Sequence, residues 1–323
     1  MKLASCGALL ALAAAALSSS ALAENAKWRH AVLEPKSDAG IILMAAKKGF
    51  LEKLGLDVEI VGLKNELLAQ RAAVSGDIDS FEGSPPYAAI STGTNLKVVA
   101  CYWTATPYHI FAKESVKSIQ DMRGKTIAIA APGSAPDMVA RAVLDFYKVP
   151  TDEVKFANVG SDADRYRAVA QGVVDATVVS GEYTPIAGRD GLHSIAKASD
   201  ALPEYDRLCI TMNERSLTAR RPDAVKFLAG EMLGMRYALA NRAETVALTH
   251  EITGAKPDDP RPGWVFDDVL AQKSVDPSMP LSIDRLRAMQ DLMVRSGALT
   301  KPAVVEKMVD LKLREEAAAL AGR

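Results

Sequence analysis

Residues 121–137 read Asp-Met-Arg-Gly-Lys-Thr-Ile-Ala-Ile-Ala-Ala-Pro-Gly-Ser-Ala-Pro-Asp, and no other stretch constrains the fold as tightly. Arg123-Gly124 reads as a turn, 125–131 as a buried strand rich in Ile and Ala, and Gly133-Ser134 as a corner that opens a helix. Strand, corner and helix start make half of a β-α unit, and in open parallel sheets ligands sit at such corners. The free N–H groups of the helix start favour an anionic or acceptor-rich ligand.

The 323 residues are about right for two lobes, and 49% hydrophobic with 24% charged residues is ordinary for a soluble globular protein. Lys2, an apolar run over 7–17 and Ala21-Leu22-Ala23 predict a signal peptide cut before Glu24 and an exported, soluble mature chain. Leu3-Ala4-Ser5-Cys6 has the letters of a lipoprotein box, but its apolar run follows Cys6 instead of preceding it. Cleavage removes one lysine and no acid, leaving 38 basic against 40 acidic residues, a balance that does not suit nucleic-acid binding. Cys101 and Cys209 remain. Export permits a disulfide between them, but the simpler expectation is two buried thiols.

Along the chain, strands are expected at 28–34, 56–61, 78–81, 95–103 and 108–113, with helices at 39–54 and 66–74. After the opening stretch the rhythm restarts: helix 137–147, strand 154–158, helix 163–171, strand 173–180 and strand 208–213. Helices alone follow, at 222–241, 243–253, 283–296 and 302–321, with a Pro-rich loop at 256–263. Alternating strands and helices imply mostly parallel sheets with helices on both faces. Gly76-x-x-Asp79 is echoed by Gly172-x-x-Asp175, each leading into a strand and a Gly-containing corner, which suggests two lobes of similar plan facing across a cleft.

Gly49-Phe50-Leu51-Glu52-Lys53-Leu54-Gly55-Leu56-Asp57-Val58, Gly76 with Asp79, Gly93-Thr94-Asn95-Leu96-Lys97-Val98-Val99, Asp121-Met122-Arg123-Gly124-Lys125 and Gly133-Ser134 occur in that order. The set resembles the periplasmic substrate-binding proteins of nitrate, sulfonate and taurine ABC importers, a group that includes the thiamine-pyrimidine synthase homologues, over about residues 28–250. The resemblance implies a two-lobed type II periplasmic-binding-protein fold with extra C-terminal helices. Residues 24–106 and 208–323 would form one lobe and 107–207 the other, with crossings near 107–111 and 208–212. It also implies a monomer that captures a small-molecule solute and delivers it to an ABC permease and its ATPase, with no catalytic residue and no cofactor.

In such a fold the corners line the cleft. The expected ligand-binding residues are Lys36, Ser37, Asp38, Phe81, Glu82 and Ser84 from the first lobe. Trp103, Tyr108 and His109 come from the first crossing, and Ser134, Asp137, Asp162, Glu182 and Tyr183 from the second lobe. Ser84, Ser134 and Asp162 serve equally well as helix caps, and Trp103 and Phe81 as core. The acids oppose a bare anion and suit an amine, an amidine or a hydroxyl-rich ligand, as in taurine-like zwitterions or aminopyrimidines. His30, His109, His193 and His250 are scattered without metal-ligand spacing, and no Walker, dinucleotide or nucleophile-elbow motif occurs. The rival readings are a synthase-like enzyme, which the lack of a Cys cluster disfavours, and a periplasmic sensing module on the same fold.

Overall fold

The computed structural model describes residues 25–322, so the expected signal peptide lies outside the described residues. Among the described residues ten strands form two five-stranded sheets. They are β1 (Ala26–Leu33), β2 (Leu56–Leu63), β3 (Ser80–Gly83), β4 (Leu96–Trp103), β5 (Tyr108–Lys113), β6 (Thr126–Ile129), β7 (Lys155–Asn158), β8 (Ala176–Ser180), β9 (Leu192–Lys197) and β10 (Leu208–Asn213). The first sheet has the order β2-β1-β3-β10-β4 and the second β7-β6-β8-β5-β9. Four strands of each sheet run in one direction, and the strand at the fourth position, β10 or β5, runs antiparallel to both its neighbours. The two sheets therefore share one plan. Buried Ile and Val of β6 and β8 read as continuous apolar runs because helices cover both faces.

The chain passes from the first sheet to the second between Trp103 and Tyr108 and returns between Lys197 and Leu208. Residues 107–111 and 208–212, expected near the crossings, lie mostly within β5 and β10, just after each passage.

Several elements differ from expectation. The helix anticipated over 39–54 is three short turns, Ala39–Ile42, Met44–Lys47 and Phe50–Lys53, with Gly49 at φ +70° before the last. These turns pack under the long helix Arg221–Ala240, where a Cβ on Gly234 would stand 2.5 Å from the Ala45 Cα. Only glycine permits that approach. The strand β9 and the helix Arg261–Gln272 were not expected. Pro262 and Gly263 suggested a loop, yet proline is tolerated in a helix's first turn. The C-terminal helix starts only at Leu311.

Cys101 and Cys209 are joined in a disulfide, against the expectation of two thiols. They stand directly opposite one another on the antiparallel pair β4 and β10, with Cα atoms 3.9 Å apart. Strand pairing across 108 positions is invisible in sequence spacing, which is why the sequence permits the bond but does not decide it.

Candidate ligand-binding cleft

A trench of about 1190 Å³ runs between the two sheets, and both walls are built from strand ends. Lys36, Ser37 and Asp38 follow β1, and Glu82 and Ser84 lie at and just beyond the end of β3. Tyr108 begins β5, while Ser134, Asp162, Glu182 and Tyr183 come from corners after β6, β7 and β8. Ten of the fourteen expected site residues thus line one trench.

The charged groups are arranged in pairs. The Lys36 ammonium reaches across the trench to the Asp162 carboxylate at 3.3 Å, joining a loop of the first sheet to a helix of the second. Burial opposes the charge on Lys36, and Arg207 adds to that, but Asp162, Tyr108 and Asp38 hold the pKa above the ordinary value. Asp162 also accepts from the buried Arg165, whose Nε donates to the Val178 carbonyl at 3.0 Å. Ser161 caps that helix, leaving Asp162 free for the pair.

Arg207, the last residue before β10, donates to Asp38 at 2.7 Å and lies 4.2 Å from the centre of the Trp103 ring. Glu82 accepts a hydrogen bond from the Tyr102 hydroxyl. Burial pushes the Glu82 carboxyl up to about 7, Tyr102 and Arg207 pull it down, and Asp38 adds to the rise. The Ser84 N–H donates to Glu66 at 2.9 Å, so that corner is braced by a carboxylate absent from the expected set.

Four expected residues stand elsewhere. Phe81 has no exposed surface and packs with Ala31, Ala69, Ile78 and Leu96, so it is core and not a cleft residue. Asp137 does not line the trench: its carboxylate accepts from the Gly133 N–H at 2.8 Å and from Arg141 at 2.9 Å. The Gly133 N–H just before that helix is therefore satisfied within the chain, and Asp137 gives no information about ligand charge. Trp103 and His109 line a smaller chamber behind the trench. Burial, with Lys197 nearby, lowers the His109 pKa to about 4, and its Nδ1 lies 3.2 Å from the Ser194 hydroxyl. Ser134 does not cap its helix, and its hydroxyl donates back to the Ala131 carbonyl at 2.6 Å.

Sequence reasoning missed Arg165, Arg207 and Arg261. Arg165 stands three residues after Asp162, a helical ion-pair spacing that could have flagged it. Arg207 and Arg261 reach the trench only through the crossing and the unforeseen helix. Among the described residues the one cluster with metal-ligand composition is Cys101, Asp206 and Cys209, and its two sulfurs are spent in the disulfide. No helix among the described residues is long and apolar enough to cross a membrane.

Two sheets of one strand plan, facing across a trench lined from both sides, define the two-lobed type II periplasmic-binding fold. The fold is shared with the periplasmic aliphatic sulphonate binding protein of Escherichia coli (TM-score 0.73, 16% identity, 88% of this chain and 92% of that one). It is shared too with the alkanesulfonate-binding protein of Xanthomonas axonopodis pv. citri bound to MOPS (TM-score 0.71, 20% identity, 90% and 99%). In sequence, the chain is 27% identical over 224 residues to a protein of Brucella abortus (strain 2308) whose name marks it as a candidate binding protein, covering 67% of this chain and 68% of that one. The model of the NMT1/THI5-like family matches residues 36–245, and the chain belongs to that family.

Proposed function

We propose that this chain is the periplasmic solute-binding component of an ABC importer, and that it acts by binding and release without catalysing a reaction. Residues 24–106 with 208–323 form one lobe and 107–207 the other. A small organic solute of sulfonate or taurine-like class is held between them and delivered by the monomer to a permease and its ATPase. The observation that carries this reading is the Lys36–Asp162 pair: charged groups from opposite walls meet at 3.3 Å inside a trench large enough for a small organic molecule. Binding and fold relatives whose names specify sulfonates support the solute class. Paired acids and bases on both walls suit a ligand carrying donor and acceptor groups together.

The test is a thermal-shift screen over sulfonates, aromatic acids, nitrate and pyrimidines, because a ligand that binds only the native state must raise the melting temperature. A stabilising solute is then titrated against Asp162→Ala and Arg207→Ala, each expected to weaken binding at least tenfold. A screen in which no solute stabilises the protein refutes the reading.

A further inference from the structure

The trench has a stretch of wall with no charge on it. Residues 85–88 reach it from the corner after β3, residues 135–138 from the corner after β6, and Met289, Met293 and Ala298 from the C-terminal segment. Every trench-lining residue in these three stretches is apolar, apart from the Tyr87 hydroxyl, which donates to the Leu286 carbonyl at 2.8 Å. The stretches also meet: Tyr87, Met138 and Met289 belong to one buried apolar cluster, and Met293 packs against it half-buried.

Local structure explains the lack of polar groups. At the corner after β6, Asp137 turns inward to the Gly133 N–H at 2.8 Å, the Ser134 hydroxyl donates back to Ala131 at 2.6 Å, and Pro136 has no N–H to offer. That helix start therefore presents Ala135, Pro136 and Met138 to the trench. The helix Ile283–Arg295 turns Met289 and Met293, one turn apart, toward the trench, while Asp284, Arg287, Asp291 and Arg295 stay exposed. The Tyr87 bond holds this helix in place, and so does Arg285, whose Nε donates to Asp206 at 3.0 Å.

Charged side chains elsewhere in the trench are paired with each other: Lys36 with Asp162, Asp162 with Arg165, and Arg207 with Asp38. A trench of about 1190 Å³ has the size that encloses drug-sized ligands, well beyond what a taurine-like solute fills. Methionine side chains are unbranched and polarizable, and they adapt to apolar groups of varied shape.

We infer that the wall formed by Tyr87, Met138, Met289 and Met293 is a subsite for an apolar arm of the solute, an alkyl chain of about five carbons or more or an aryl ring, lying across the one-turn spacing of about 5.4 Å between the last two methionines. The subsite rests on the cleft function proposed above and narrows the solute from taurine-like molecules to those with a long apolar end. Met289 and Met293 lie beyond residues 36–245, so this wall is completed by side chains outside the segment that the family model matches.

The experiment is a calorimetric titration of the full mature chain with ethanesulfonate, hexanesulfonate and benzenesulfonate, and with propanoate and heptanoate to change the head group. Each buried methylene tightens binding about fourfold, so hexanesulfonate should bind at least about thirtyfold more tightly than ethanesulfonate, with benzenesulfonate between them. Met293→Gln should cut that ratio at least about threefold, whereas Met293→Leu should keep it. A partly unfolded chain loses all solutes alike, so the ratio reports the subsite alone. Ala298→Gln is a second variant with the same expected fall. A wild-type ratio near one, or a ratio that neither glutamine variant lowers, overturns the subsite, and ethanesulfonate binding in that event leaves the cleft function standing. If heptanoate outbinds propanoate by the same factor while no sulfonate binds, the subsite stands and the sulfonate class falls. Absence of binding by all five overturns the subsite, and the cleft function is then decided by the broader thermal-shift screen.

Discussion

Asp79 and Asp175 make the same two bonds in different sheets. Asp79 stands immediately before β3, where its carboxylate accepts the Arg29 N–H of β1 at 2.8 Å and its own N–H donates to the Arg29 carbonyl at 2.9 Å. Asp175 stands immediately before β8, accepts the Thr126 N–H of β6 at 2.8 Å and donates to the Thr126 carbonyl at 3.0 Å. Each aspartate ties the start of the strand at the third position of its sheet to the strand at the second. The Gly-x-x-Asp echo in the sequence is thus the trace of a repeated strand plan.

Removing either carboxylate orphans a backbone N–H. Asp79→Ala and Asp175→Ala should each cost about 1–3 kcal/mol in urea denaturation. Asp79→Ala should be the worse, because Asp79 also accepts from Ser216 and Arg220, both at 3.1 Å. Burial opposes ionisation of Asp175, but Lys113 and the Thr126 N–H hold its pKa below the ordinary value. Its contribution is therefore present above the unfolded-state pKa and is lost on acidification.

The Glu82 carboxyl is pushed up to about 7 in the fold from an ordinary 4.5. The folded state holds that proton more tightly, so this group favours folding most at low pH, and its contribution is lost as pH rises from 4.5 through 7. His30 acts oppositely: burial lowers its pKa to about 3, so its contribution is full above 6.5 and is lost as pH falls. Glu82→Gln isolates the first effect. It should be more stable than wild type at pH 8, by up to about 3 kcal/mol, with the gap closing toward pH 5.

Reducing the Cys101–Cys209 bond releases a chain segment of 108 residues, and the chain-entropy account puts the loss at about 5 kcal/mol. Urea denaturation of the Cys101→Ala, Cys209→Ala double variant should show this loss, and added reductant should leave that variant unchanged while destabilising the wild type.

The Lys36–Asp162 pair is partly exposed, and Lys36→Met should change stability by under about 1 kcal/mol. Its effect belongs to the arrangement of the lobes. Small-angle scattering of the unliganded variant should give a larger radius of gyration than wild type, and high salt should move wild type the same way.

Much of this architecture was legible in the chain. Runs such as Thr126–Ile129, bounded by Gly124 and Gly133, carry strand and corner signals within a few residues, and the corners collected ten expected residues into one trench. What stayed hidden depends on partners far along the chain. Phe81 and Tyr108 look alike locally, yet a neighbouring cluster buries one and the trench receives the other. Asp137 turned inward because Gly133, four residues back, offered an N–H at 2.8 Å. Arg207 and Trp264 acquire their places only when β10 and the helix Arg261–Gln272 fold back against the first crossing.

The disulfide joins β4 and β10 close to where the chain leaves the first sheet and where it returns. Both passages are thereby anchored to a single covalent point, like two straps sewn to one ring. Rotation of one sheet against the other must then be taken up within residues 104–107 and 198–207, and the ring itself stays with the first sheet. The second of these stretches ends at Arg207, whose guanidinium donates to Asp38 in the loop after β1 at 2.7 Å.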